Sequence, residues 1–233
     1  FSDKIHSSMS DKQGNLWLCT HSKGLEKVSF MDQQFYLHQR KQANYETLEN
    51  EVRALFQDRE GNIWAGQKDG YISIYDGNSH YRGFLTENGT ISQSGIPARG
   101  VAYCITQDSH GAVWIGTKGD GVIRAEKQGN RYLLTRFRLE NDNIYSLSSN
   151  DIYNIYEDAR GRIWIATFGG GINYIEKNGT QYHFINYRNN LKNFPISRSY
   201  RTRFITEDAN NHIWVGTTTG VLCFRNDFKN PED

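Results

Sequence analysis

The chain has 233 residues, with 27 basic against 26 acidic side chains and a formal net charge of +1, a balance that gives no support to a nucleic-acid or polybasic membrane surface. Hydrophobic residues are 37% and aromatic residues 13%, with 22 glycines and 3 prolines, which excludes a disordered chain and favours strands and tight turns over helical bundles. No apolar run approaches the ~18 residues of a membrane span, and Cys19, Cys104 and Cys223 are too widely spaced to form a metal-ligand motif.

The five tryptophans, Trp17, Trp64, Trp114, Trp164 and Trp214, are separated by 47, 50, 50 and 50 residues. Each is preceded six positions earlier by an aspartate: Asp11, Asp58, Asp108, Asp158 and Asp208. Three positions before each Trp stands Gly14, Gly61, Gly111 or Gly161, with Asn211 in the last copy; both residue types tolerate a left-handed turn. A second glycine follows each Trp, at Gly24, Gly70, Gly121, Gly171 and Gly220. The chain is therefore an internal repeat, with copies at about 1–44, 45–94, 95–144, 145–194 and 195–233. A period of about 50 residues is that of propeller blades.

In chain order, the first copy begins directly in its inner strand, and copies three and four share one scheme of strands and turns. Copy three predicts strands at Ala102 to Gln107, Val113 to Thr117, Val122 to Ala125 and Tyr132 to Phe137; copy four predicts Ile152 to Glu157, Ile163 to Thr167, Ile172 to Ile175 and Tyr182 to Tyr187. Asp-to-Gly, Gly-rich and Asn-Gly turns separate them. Copy five ends at Val221 to Asp233, leaving little for a fourth strand, so about nineteen strands are expected and no long helix. Connections at 39–51, 86–100, 140–150 and 188–200 are the least repetitive segments. The fold class is all-β, a β-propeller of about five four-stranded blades, because one such sheet cannot bury both faces alone. The Trp rings are expected between blades and the aspartates in the first turn of each.

Segments such as Leu147 to Ile175 and Ile105 to Ile123 resemble the two-component regulator propeller repeat, and the resemblance covers nearly the whole chain. It implies a fragment of a larger, seven-bladed propeller in the periplasmic sensor region of a Bacteroides-type hybrid histidine kinase. It also implies recognition of an oligosaccharide or polysaccharide breakdown product, with other propeller and signalling domains of the same longer chain as partners, and leaves a homodimer open. The opening on Phe1, without a charged-then-apolar leader, is expected of a trimmed or processed segment. Copy one has Cys19 where Gly or Ala is usual, and copy two has Gln67 in place of Thr.

Five equivalent Asp–Trp units are scaffold, because a catalytic site needs one constellation; function is expected where the copies differ. Five residues before each motif aspartate stand His6, Arg53, Tyr103, Tyr153 and Arg203, and the loop after the second strand adds His21, Lys68, Asp69, Lys118, Asp120, Phe168 and Thr218. From these, Arg53, Tyr103, Tyr153, Arg203, Lys118, Asp120 and Phe168 are the candidate ligand-binding residues, expected on one rim. Aromatic faces stack on the C–H surfaces of sugars, and guanidinium groups bond hydroxyls and carboxylates. The alternative for the residue five before the aspartate is a place in the interblade core. The unit also resembles the Asp box of sialidase propellers, where the Gly stands two rather than three after the Asp. On that reading Arg53, Arg99, Arg201 and Arg203 form a carboxylate cluster and Tyr103 or Tyr153 is a nucleophile. No catalytic residue, cofactor or metal is assigned: the seven histidines show no HxH or HExxH spacing. A propeller glycoside hydrolase or lyase and a protein-interaction scaffold are the alternatives to a noncatalytic sensor.

Overall fold

The computed structural model describes residues 4–29, 34–40 and 50–227. Five antiparallel meanders follow one another along the chain. The first holds β1 (Ile5–Ser10), β2 (Leu16–Thr20), β3 (Leu25–Ser29) and β4 (Gln34–His38); the second β5 (Val52–Gln57), β6 (Ile63–Gln67), β7 (Ile72–Tyr75), β8 (Tyr81–Leu85) and β9 (Ile91–Ser92). The third holds β10 (Ala102–Gln107), β11 (Val113–Thr117), β12 (Val122–Gln128) and β13 (Arg131–Phe137); the fourth β14 (Ile152–Glu157), β15 (Ile163–Thr167), β16 (Gly171–Asn178) and β17 (Gln181–Ile185). The fifth has three strands, β18 (Thr202–Glu207), β19 (His212–Thr217) and β20 (Gly220–Arg225). The fold is an all-β propeller. Twenty strands stand among the described residues where nineteen were expected, and the addition is β9, two residues inside the 86–100 connection. A four-residue helix, α1 (Ile196–Ser199), occupies the 188–200 connection. Most of the 39–51 connection, at 41–49, and the end of copy five, at 228–233, lie outside the described residues.

The chain divides into two compact units, residues 1–107 with 125–134 and residues 108–124 with 135–233. In the first, Trp17, Leu25, Val52, Ile63 and Tyr75 share a core cluster, and Trp64 meets Tyr132 of the following sheet edge-on, with ring centroids 5.3 Å apart. In the second, Trp164 packs with Tyr174, Ile185, Ile205 and Val215, and Trp114 meets Tyr182 of the following sheet at 6.2 Å. Four of the tryptophans thus lie between sheets, as their spacing implied, whereas Trp214 of the three-stranded fifth sheet is 40% exposed and departs from that expectation.

The repeated aspartate closes each first turn. Its Oδ1 accepts the N–H groups two and four residues on, as Asp158 does from Arg160 and Arg162 at 2.9 Å. Its Oδ2 accepts the indole N–H of the copy's Trp, at 2.7–2.9 Å in all five copies. The turn needs a positive φ three residues after the aspartate, and Asn211 supplies it at 60° where the other copies use glycine.

A second repeated contact joins successive sheets. The N–H after the motif aspartate donates to a Gln or Glu at the end of the next sheet's first strand. The pairs are Lys12 to Gln57 at 3.2 Å, Arg59 to Gln107 at 2.9 Å, Ser109 to Glu157 at 2.6 Å and Ala159 to Glu207 at 2.6 Å.

Candidate functional site

The first strand of a repeat carries a register shift. Ile152 pairs with Thr167 but Asn154 pairs with Ala166, leaving Tyr153 as the extra residue; the same shift leaves His6, Arg53 and Arg203 extra in their strands. A bulge of this kind re-aims the side chain it releases. It also lets Ile152 and Ile155 both be buried despite their odd spacing, and β10 has the same burial pattern. His6, Arg53, Tyr103, Tyr153 and Arg203 are half-buried or exposed, and His6, Arg53, Tyr153 and Arg203 stand at one structural position, the bulge of the first strand.

In three copies the residue four after the Trp lies close by: His21 beside His6, Lys68 on the carboxylate that Arg53 contacts, and Phe168 beside Tyr153. In copy four the Tyr153 and Phe168 rings stack, with centroids 5.2 Å apart and planes at 28°. Arg203, from the next sheet, lies over both, 5.2 Å from the Tyr153 ring and 5.3 Å from the Phe168 ring. Arg201 lies 5.1 Å from the Phe168 ring and 4.9 Å from that of Tyr200. The backbone fixes this platform: Phe168 and Arg201 form a β-bridge, and the Gly169 and Gly171 N–H groups both donate to the Tyr200 carbonyl, at 2.8 and 2.9 Å. The arrangement is a half-buried aromatic pair edged by two exposed arginines.

In the first unit the same positions make an ion-pair network instead. Arg53 contacts the Glu51 carboxylate directly and lies 5.9 Å from the Tyr103 ring. Lys68 reaches the other Glu51 oxygen at 2.8 Å, and His6 and His21 stand 3.7 and 4.0 Å away. Burial alone would raise the Glu51 pKa, but the Lys68 hydrogen bond and the charges of Arg53, Lys68 and His21 hold it below the usual carboxylate range. The His6, His21 and Glu51 ligand atoms lie within 4.8 Å of one another. Sequence spacing does not reveal this grouping, because the fold assembles it from three segments. Its carboxylate already serves two cations.

Lys118 is exposed, and Asp120 is paired with Arg138 at 2.8 Å; among the described residues neither touches the Tyr153–Phe168 platform. The structure thus brings together Tyr153, Phe168 and Arg203 in the second unit and Arg53 with Tyr103 in the first. Glu51 was not in the candidate set, and Arg201 entered only through the carboxylate cluster of the sialidase alternative. The signal for Arg201 was its alternation with Arg203 about Thr202, which is buried.

Comparison with known proteins bears on this scaffold. Residues 48–69, 95–119 and 146–169 match the family model described as two component regulator propeller. Three of the five copies thus carry the two component regulator propeller repeat. No curated protein matched the sequence. Among solved structures, these repeats are similar to the extracellular domain of a B. thetaiotaomicron protein assigned as a hybrid two component system. Identity there is 23% and the TM-score 0.69, over 97% of this chain and 28% of that one. A second such domain from the same organism gives 17% identity and a TM-score of 0.66, over 98% of this chain and 32% of that one. Virginiamycin B lyase from Staphylococcus aureus gives 14% identity and a TM-score of 0.63, over 97% of this chain and 71% of that one. At these identities the likeness is one of fold. The repeats span about three-tenths of the length of the two extracellular domains.

Proposed function

We propose that this chain is a segment of the noncatalytic, extracytoplasmic sensor propeller of a two-component signalling protein, and that it recognises a carbohydrate on the Tyr153–Phe168–Arg203 platform. The regulator-propeller repeats and the likeness to extracellular domains of two-component systems support the sensor part of the reading. The observation that carries the recognition part is the bulge that releases Tyr153 from its strand and stacks it on Phe168, with Arg203 across both rings. A ring pair of this kind offers a flat apolar face to sugar C–H groups and a guanidinium fork to hydroxyls. Repeat-invariant residues do the structural work, and the platform is built from residues that differ between copies. In signalling, occupancy would pass to a kinase in the longer chain.

The test is calorimetric titration of the chain with a panel of oligosaccharides, with chromatography for products. Binding without turnover, abolished by Phe168→Ala at an unchanged melting temperature, is the expected result. Turnover lost on changing one acidic or tyrosine residue would establish the enzyme alternative. Stable self-association with no glycan bound would establish the scaffold.

A further inference from the structure

We infer that the platform selects acidic saccharides, those bearing carboxylate or sulfate groups, and that Arg201 is the second anion-binding residue beside Arg203. This rests on the recognition reading above and narrows it to a ligand class.

Arg201 and Arg203 flank the buried Thr202 on alternate positions of one chain segment, and both guanidinium groups lie over the same Phe168 ring, at 5.1 and 5.3 Å. Among the described residues neither guanidinium has a hydrogen-bond acceptor or a carboxylate partner. Four other arginines are matched, Arg138 with Asp120 at 2.8 Å, Arg162 with Asp158 at 3.1 Å, and Arg40 and Arg53 with Asp69 and Glu51; what sets Arg201 and Arg203 apart from the remaining exposed arginines is the aromatic ring they share. Asp151 approaches the platform through its carbonyl, which accepts the Phe168 N–H at 2.8 Å, yet its carboxylate pairs with neither arginine.

Two like charges held on one ring repel each other, and contact with aromatic faces offsets only part of that cost. An anion bound by both offsets that repulsion and engages donors that have no acceptor among the described residues. The planar forks match a carboxylate or sulfate geometrically, where a neutral hydroxyl would use a single donor. The donors are also held in place. Thr202 Oγ1 accepts the Thr167 N–H at 2.9 Å and donates to the Gly171 carbonyl at 2.7 Å, and Thr218 N–H donates to the Arg201 carbonyl at 3.1 Å. The segment carrying both arginines is thereby tied to the loop carrying Phe168, so binding an anion orders little that is not already ordered.

The test uses matched pairs that differ only in charge: trigalacturonate against its methyl ester, and chondroitin sulfate oligosaccharides against their desulfated, carboxyl-reduced forms, titrated into the chain at two salt concentrations. The expected result is that an acidic member binds about tenfold or more tightly than its neutral partner, less so at high salt. Arg201→Gln and Arg203→Gln should each lower that affinity about tenfold at an unchanged melting temperature, and Phe168→Ala should abolish it. Equal affinity for neutral partners, insensitive to Arg201→Gln but lost in Phe168→Ala, would overturn the acidic selectivity and leave carbohydrate recognition standing. Acidic binding untouched by all three substitutions would place the anion elsewhere and overturn the inference. No binding by any member, charged or neutral, would overturn both.

Discussion

Asp158 accepts the backbone N–H groups of Arg160 and Arg162, the Trp164 indole N–H at 2.8 Å and the Asn226 amide at 2.9 Å, with its side chain 0% exposed. Burial would raise its pKa; those hydrogen bonds and the Arg162 charge outweigh it and leave the carboxyl below its ordinary value of 3.8. Asp11 is lowered in the same way. A carboxylate whose pKa is depressed by folding contributes stability that is complete above the unfolded value and is lost as pH falls through the folded one. The urea midpoint is therefore expected to hold from pH 7 to about 5 and to fall below about 4. In Asp158→Asn the midpoint should be lower at pH 7 and the acid fall shallower, since one titrating group has been removed. An acid limb of unchanged slope in that variant would show that Asp158 does not carry the effect.

At the scale of the strand and its turn, the sequence reading succeeded where chemistry changes sharply at a boundary. β10, β11, β14 and β15 begin and end at the expected residues, because each is bounded by a turn whose Asp and Gly are unmistakable. β12 and β16 run three residues further than expected, to Gln128 and Asn178; their extensions are exposed and polar, and only the Gly129 and Gly179 turns end them. β9 is too short to leave a pattern. The bulge was invisible for a different reason: one extra residue turns strict alternation into an odd spacing of Ile152 and Ile155, which reads equally as a lapse in the pattern. The candidate positions at the bulge and in the following loop were legible as variable sites in a regular array, but their pairing depends on a register that sequence does not state. Turn glycines divide by what surrounds them. Gly121 has a φ of +73°, and a Cβ there would lie 2.1 Å from the Phe137 carbonyl oxygen, whereas at Gly129 (φ +61°) no atom lies within 4 Å. Gly121→Ala is expected to cost about 2 kcal/mol or more, and Gly129→Asn under about 1 kcal/mol because asparagine tolerates this conformation. Chemical denaturation of both variants reads the difference directly.

Across the whole molecule, equivalent residues meet different environments. Trp17, Trp64, Trp114 and Trp164 are at most 2% exposed, whereas Trp214 is 40% exposed. Iodide is accordingly expected to quench one of the five tryptophans in the native chain and all five in urea, and full protection of all five would contradict this burial pattern. Cys19 follows the same rule, its thiol pushed up to about 12 by burial. The contacts between successive sheets obey another logic. Each acceptor is a Gln or Glu side chain, while each donor is a main-chain N–H, on Lys12, Arg59, Ser109 and Ala159. Four donors with no side-chain chemistry in common make the same bond, because the backbone offers it whatever residue is present. A repeat that is duplicated, deleted or exchanged in the gene therefore finds a ready acceptor and donor at each new junction. Arrays of this kind can change length by recombination without waiting for compensating substitutions, and the donor positions are left free to drift.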